Sequence, residues 1–151
     1  LMYIPQKREL FEDMTVLENL KMSSLHFNDL NKTNNQLEIV LNEMPLFKIK
    51  KKQKVSELSG GERKLLTLGM VLMNNPKMLL YDEPLAGLSG DNITLVIKWL
   101  KKINNSGTTL LIIEHKIKEI LEVVDRVIGL RLGHLELRTN NNLQEIKTFM
   151  I

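Results

Sequence analysis

The chain has 151 residues, 43% of them hydrophobic, the size of one domain with a core to bury. Its 21 basic and 18 acidic residues leave a formal charge of +3, too mild to argue for a nucleic-acid partner. With no cysteine there is no disulfide framework or thiolate metal site, and no apolar run reaches the roughly 18 residues that span a bilayer, so a soluble or peripheral protein is expected.

The opening Leu1-Met2-Tyr3-Ile4-Pro5 reads as the tail of a buried strand, and Pro5 ends it, leaving Gln6 at a carboxyl edge, where open α/β sheets place ligands. After a charged loop, Thr15 and Glu18 form a Ser/Thr-x-x-Glu capping box for a short helix with Val16, Leu17, Leu20 and Leu25 on its apolar side. A further helix carrying Leu37, Ile39, Val40, Leu41 and Met44 ends before Pro45. The basic run Lys48 to Lys54 is read as a solvated face, with a docking or lipid-facing patch as the alternative.

Leu58-Ser59-Gly60-Gly61-Glu62 then opens a second capped helix, with Ser59 as N-cap and Glu62 closing the box. Two glycines clear side chains from the place where unpaired N–H groups and the positive end of the helix dipole converge, a geometry suited to a phosphate or to a bland turn. The helix runs to about Met73, is apolar nearly all round, and is expected to lie buried between layers until Asn74-Asn75-Pro76 stops it.

Met78-Leu79-Leu80-Tyr81 has the length and composition of a central parallel strand covered on both faces, and it ends in Asp82-Glu83. Two carboxylates at such an end call for a metal ion or a proton to be taken, unless Asp82 merely caps a surface turn. Leu85 to Gly90 forms a loop into an amphipathic helix with Ile93, Val96, Ile97, Leu100 and Ile103 on one stripe and Trp99 off it. Thr108 to Ile113 reads as a second buried strand ending in Glu114-His115, so His115 and Asp82-Glu83 would reach one edge of a parallel sheet. His26, His115 and His134 show no metal-ligand spacing. Lys116 to Val124 is expected as a helix, Arg126 to Leu130 as a third strand, Gly133 as a turn into Leu135 to Leu137, and Asn140-Asn141-Asn142 as the loop and cap before a last helix, Leu143 to Phe149.

This ordered set resembles the ATP-binding cassette ATPases of membrane transporters over essentially the whole chain from Tyr3 onward. Gln6 matches the Q-loop, Leu58 to Glu62 the signature motif, Met78 to Glu83 the Walker B strand and its following glutamate, Ala86 to Ser89 the D-loop, and His115 the switch histidine. The resemblance implies an α/β fold: a partial P-loop NTPase core with a mostly parallel sheet and a helical subdomain. Residues 1–151 would form a single partial cassette, with about 7–73 helical and 1–6 plus about 74–151 supplying the second half of the core.

It also implies ATP and Mg²⁺ as ligands. Ser59, Gly60, Gly61 and Glu62 would receive the γ-phosphate of a nucleotide held by a second cassette subunit, Asp82 and Gln6 would serve the metal, Glu83 would polarise the attacking water, and His115 would contact the γ-phosphate. Transmembrane permease subunits would hold the protein on the cytoplasmic face of the cell membrane. Ser89 stands where many members carry aspartate, which puts coupling through that position in question. The stretches around Tyr3 to Leu20, Glu83 to Leu88 and Leu111 to His115 look most like branched-chain amino acid importer ATPases.

Gly-x-x-x-x-Gly-Lys-[Ser/Thr], the Walker A cradle for phosphates in cis, occurs nowhere in these residues and is expected upstream of them. Two functions remain open: part of a transporter ATPase, inactive on its own, or a non-catalytic partner or remnant that offers its signature loop to a complete cassette. A non-transport cassette, for example in translation or chromosome maintenance, is a third possibility, of which the chromosome class is disfavoured because the short interval between Gln6 and Ser59 leaves no room for a long coiled coil.

Overall fold

The computed structural model describes residues 1–6, 10–140 and 142–149. The chain falls into two compact units, Leu1–His115 and Lys116–Ile151.

In the first unit, β1 (Met2–Ile4), β2 (Met78–Asp82) and β3 (Thr109–Ile113) form a three-stranded parallel sheet in the order β1-β2-β3. The register aligns Tyr3, Leu80 and Leu111 across the sheet and sets Asp82 opposite Ile113, so all three strands end at one edge. Ile4, Leu79 and Tyr81 are buried, and Lys64 from α4 (Gly60–Asn74) lies over the Tyr81 ring at 5.5 Å, which identifies the helix-covered face.

The other face differs from the sequence expectation of a strand buried on both sides. Tyr3, Leu111 and Ile113 are exposed, because the helices of this unit cover the Tyr81 face and side chains alternate across a strand. Open apolar sheet surface of this kind is an association hazard.

The helical part comprises α1 (Val16–Ser23), α2 (Leu30–Glu43), α3 (Pro45–Lys50) and α4. Thr15 closes the first capping box with Glu18, and Pro45 begins α3 at a position where its missing N–H costs nothing. Val16, Leu20, Val40, Phe47, Leu66 and Leu68 are almost completely buried, whereas Ile39 falls on the outer side of α2. Gly69 permits close packing, since a Cβ there would lie 3.2 Å from Leu20 and 3.5 Å from Met44 Sδ. Asn75, in the left-handed conformation, caps the end of α4. Helix α5 (Asp91–Asn105) buries Val96, Ile97, Leu100 and Ile103, while Trp99 carries Lys102 over its ring at 4.9 Å.

In the second unit the expected Lys116–Val124 helix is confined to α6 (Ile117–Ile120), followed by turns. The third strand is β4 (Val127–Arg131), joined to β5 (His134–Thr139) as an antiparallel hairpin forming its own two-stranded sheet. Leu132 and Gly133 both have positive φ, the mirror-image turn that matches the twist of a two-residue hairpin. Asn142 caps α7 (Leu143–Phe149) by accepting from the Gln144 N–H at 3.0 Å, while Asn141 lies outside the described residues.

Candidate functional site

The carboxyl edge of the parallel sheet gathers residues far apart in sequence. Gln6 follows β1, Asp82 ends β2 with Glu83 after it, and Glu114-His115 follow β3. Gln6 Nε2 donates a hydrogen bond to Glu83 Oε2, and His115 Nε2 lies 3.3 Å from Glu83 Oε1. Glu83 thus touches both, one carboxylate oxygen to each. Its side chain is 22% exposed and that of His115 is 82% exposed, so the histidine is open to whatever binds at this edge.

Glu83 has φ 49°, the left-handed region, where a non-glycine residue is strained by roughly 1–2 kcal/mol. Its backbone is held at both ends: its N–H donates to Ile113 O at 2.8 Å and its carbonyl accepts from Ala86 N–H at 3.1 Å. The carboxylate is turned toward Gln6 and His115 by this fixed bend.

Sequence reasoning assigned no role to Glu114. Its Oε1 accepts from the Leu85 N–H at 3.0 Å and its Oε2 from the His115 N–H at 2.8 Å, which ties the loop after β2 to the end of β3. Its position directly before the histidine at a strand end was the only signal available.

The second group surrounds the start of α4. Ser59 Oγ accepts from Glu62 N–H at 3.3 Å and donates to Glu62 Oε2 at 3.1 Å, which also accepts from Ser59 N–H at 3.0 Å. Glu62 Oε1 meets Lys50 Nζ at 2.6 Å, correcting the solvated reading of the basic run at that one residue. Lys48, Lys51, Lys52 and Lys54 are exposed. The hydrogen bond from Lys50, helped by those from Ser59 and opposed by partial burial, holds the Glu62 carboxyl below its ordinary range.

Gly60 is exposed and has open space where a Cβ would stand. Gly61 is buried, and a Cβ there would approach Asn92 Oδ1 to 2.4 Å. Arg63 braces this helix start: Nε donates to Leu58 O at 3.2 Å, Nη2 to Ser56 O at 3.0 Å, and Nη1 pairs with Glu12 at 2.8 Å. Gln6 and Gly60 border a common cavity of about 280 Å³ lined also by Arg63, Lys64 and Gly87.

Chemically, the sheet edge offers a carboxylate between an amide and an imidazole, a set able to position a water, and the helix start offers backbone donors and a dipole to an anion. The oxygen donors of Asp82 and Gln6 suit a small hard cation that takes one or two protein oxygens and completes its shell with water and phosphate. Among the described residues there is no cluster of three or more His, Asp or Glu that would make an all-protein cage. No helix among the described residues is long and apolar enough to cross a membrane.

Residues 1–86 match the protein family described as ABC transporter. The chain is 33% identical over 132 residues to the high-affinity branched-chain amino acid transport ATP-binding protein BraG of Pseudomonas aeruginosa, covering 87% of this chain and 56% of that protein. It is also 33% identical, over 136 residues, to the lipopolysaccharide export system ATP-binding protein LptB of Escherichia coli, covering 88% and 56% respectively. Among solved structures, a nucleotide-free ATP-binding cassette from an ABC transporter superposes with a TM-score of 0.81 at 27% identity, covering 99% of this chain and 64% of that one. The ADP conformation of another such cassette gives a TM-score of 0.76, also at 27% identity, with 97% and 63% covered. The chain therefore spans little more than half the length of these two curated relatives.

Proposed function

The chain belongs to the ABC transporter family, and from that premise we propose that it carries one part of the ATP-driven engine of a membrane transporter. The observation that carries this reading is the convergence of Gln6 and His115 on the two oxygens of Glu83 at the carboxyl edge of the parallel sheet.

In the proposed mechanism Glu83 orients and polarises the water that attacks the γ-phosphate, with Gln6 and His115 fixing its carboxylate and His115 reaching the phosphate. Asp82 and Gln6 would hold Mg²⁺ through their oxygens, and the ion would supply charge neutralisation to the phosphates. Ser59, Gly60 and Gly61 receive the γ-phosphate of ATP held by a second cassette, using backbone N–H groups and the dipole of α4. Gln6, on the segment leading toward α1, reports the state of the site to a transmembrane permease subunit. That permease would also hold the protein at the cytoplasmic face of the membrane.

The finer reading is import of branched-chain amino acids, supported by the likeness to BraG. LptB is equally similar, so the cargo is assigned to the permease rather than to any residue of this chain. A second reading is a non-catalytic partner that offers its signature loop to a complete cassette, supported by the exposed Gly60 at the start of α4, where a side chain would meet open space.

Titration into a complete cassette whose own signature serine is replaced by alanine tests the trans contribution. Hydrolysis should rise saturably with added chain. No rise at any ratio would reject the proposed phosphate contact.

A further inference from the structure

The helix start proposed above to receive a phosphate carries an acidic side chain of its own. Glu62 occupies the third helical position of α4, three residues after Ser59, and its carboxylate contacts both the Ser59 N–H and the Ser59 hydroxyl. A carboxylate there supports the helix through the capping box but opposes a second anion arriving at the same turn. Ser59 is further committed because its hydroxyl donates to Glu62 Oε2 at 3.1 Å.

The other carboxylate oxygen is taken by Lys50 Nζ at 2.6 Å, and both side chains are largely shielded, 28% exposed for Lys50 and 21% for Glu62. Shielding strengthens the pairing relative to a fully solvated one. Lys50 sits at the last position of α3, whose start is fixed by Pro45 and whose Phe47 is wholly buried, so the backbone that delivers the ammonium is anchored.

We infer that Lys50 is the positioning and charge-neutralising residue of the Ser59–Glu62 turn, making a signature loop that bears glutamate able to accept a phosphate. The pair itself carries no net charge, so an approaching anion meets the backbone N–H groups, the helix dipole and the Arg63 and Lys64 side chains beside Gly60 without an unbalanced carboxylate. It also draws the carboxylate toward α3, from where Ser59 can release its hydroxyl to a phosphate oxygen. The depressed ionisation range of Glu62 agrees with this geometry. The inference rests on the trans-phosphate reading, and it adds a residue that no motif contains.

Its test is a double-mutant cycle in the complementation assay, using the full chain as K50M, E62Q and K50M/E62Q beside the wild type. Removing Lys50 should lower the stimulated hydrolysis about tenfold when Glu62 is present and less than about twofold in the E62Q background, because a neutral amide needs no neutralisation. K50R should retain most of the stimulation. Equal losses from K50M in both backgrounds would show a purely structural role and overturn the inference, as would no loss in either.

A second arm separates this result from failure of the trans reading. Inorganic phosphate is titrated against the isolated chain, following the amide signals of Gly60 and Gly61. K50M should weaken the response and K50M/E62Q should restore it, whether or not the complementation assay responds. Absence of any phosphate response in the wild type, or a response that K50M leaves unchanged, overturns the inference. Should K50M fail to fold, K50Q replaces it in both arms.

Discussion

Gln6 and Glu83 are joined by a hydrogen bond across a separation of 77 positions, the amide at the end of β1 donating to the carboxylate that follows β2. His115 Nε2 stands 3.3 Å from the other oxygen, so both carboxylate oxygens of Glu83 have a neighbour at this edge. In the proposed role of Glu83, such contacts would spare a water-polarising group from being ordered during reaction.

The first prediction concerns activity. The isolated chain should hydrolyse no ATP above background, since no residue sequence here forms the Walker A cradle for the β- and γ-phosphates. Phosphate release by the purified chain measures this directly, and turnover that vanishes in E83Q would show the expectation to be wrong.

Folding and binding are separated by substitutions at Gly61 and Gly60. The G61A substitution drives a methyl group against the Asn92 side chain, whose terminal atoms can rotate away, so stability should change by no more than about 1 kcal/mol. In G60A, whose methyl group projects into open space at the exposed helix start, stimulation of the complete cassette should by contrast fall at least about tenfold, because it crowds the backbone approach proposed for a phosphate. Urea unfolding and the complementation assay together check the two halves.

The pH dependence of stability follows from Glu62. Its carboxyl is depressed in the folded chain from an ordinary 4.5, by the Lys50 hydrogen bond first and by Ser59. A group whose folded value is lowered stabilises the fold fully above its ordinary value and loses that contribution as pH falls through the folded one. Wild-type stability should therefore decline more steeply below about pH 4.5 than that of K50M, with equal slopes near neutrality. Urea midpoints measured across this acid range decide the matter, and parallel curves would rule out the pairing.

Asn19 supplies a fourth test. It is fully buried, accepts from Phe11 N–H at 2.9 Å, and donates at 3.0 Å to the carbonyls of both Phe11 and Thr15. In N19A these groups lose their partner in a shielded setting, which should cost about 2–3 kcal/mol. Urea denaturation provides the value, and a loss below about 0.5 kcal/mol would mean that water substitutes for the amide.

Residue order made much of the site legible. Ser59 and Glu62 lie three positions apart on one helical turn, as do Thr15 and Glu18, and both capping boxes form as their spacing requires. The ends of the apolar runs at Ile4, Tyr81 and Ile113 placed Gln6, Asp82-Glu83 and His115 at one edge, provided the strands ran parallel. The hairpin of β4 and β5 was less legible, because two short strands separated by Leu132-Gly133 can be identified without knowing which sheet they join. The exposure of Leu111 and Ile113 was likewise hidden, since an apolar strand reads the same whether one face or both are covered.

Residue order alone settles the local features: the two capped helix starts, the strand ends, the turn residues and the order of motifs, each set by interactions over three or four positions or by backbone preference. Tertiary structure decided which oxygen of Glu83 meets Gln6 and which meets His115, that Glu114 ties Leu85 to His115, and that Lys50 alone of the basic run turns inward to Glu62. The physical reason is that a lysine's partner depends on where α3 and α4 place their ends. Neighbouring residues in the run carry the same charge, and only the packing of Phe47 and the α1–α4 bundle selects one of them.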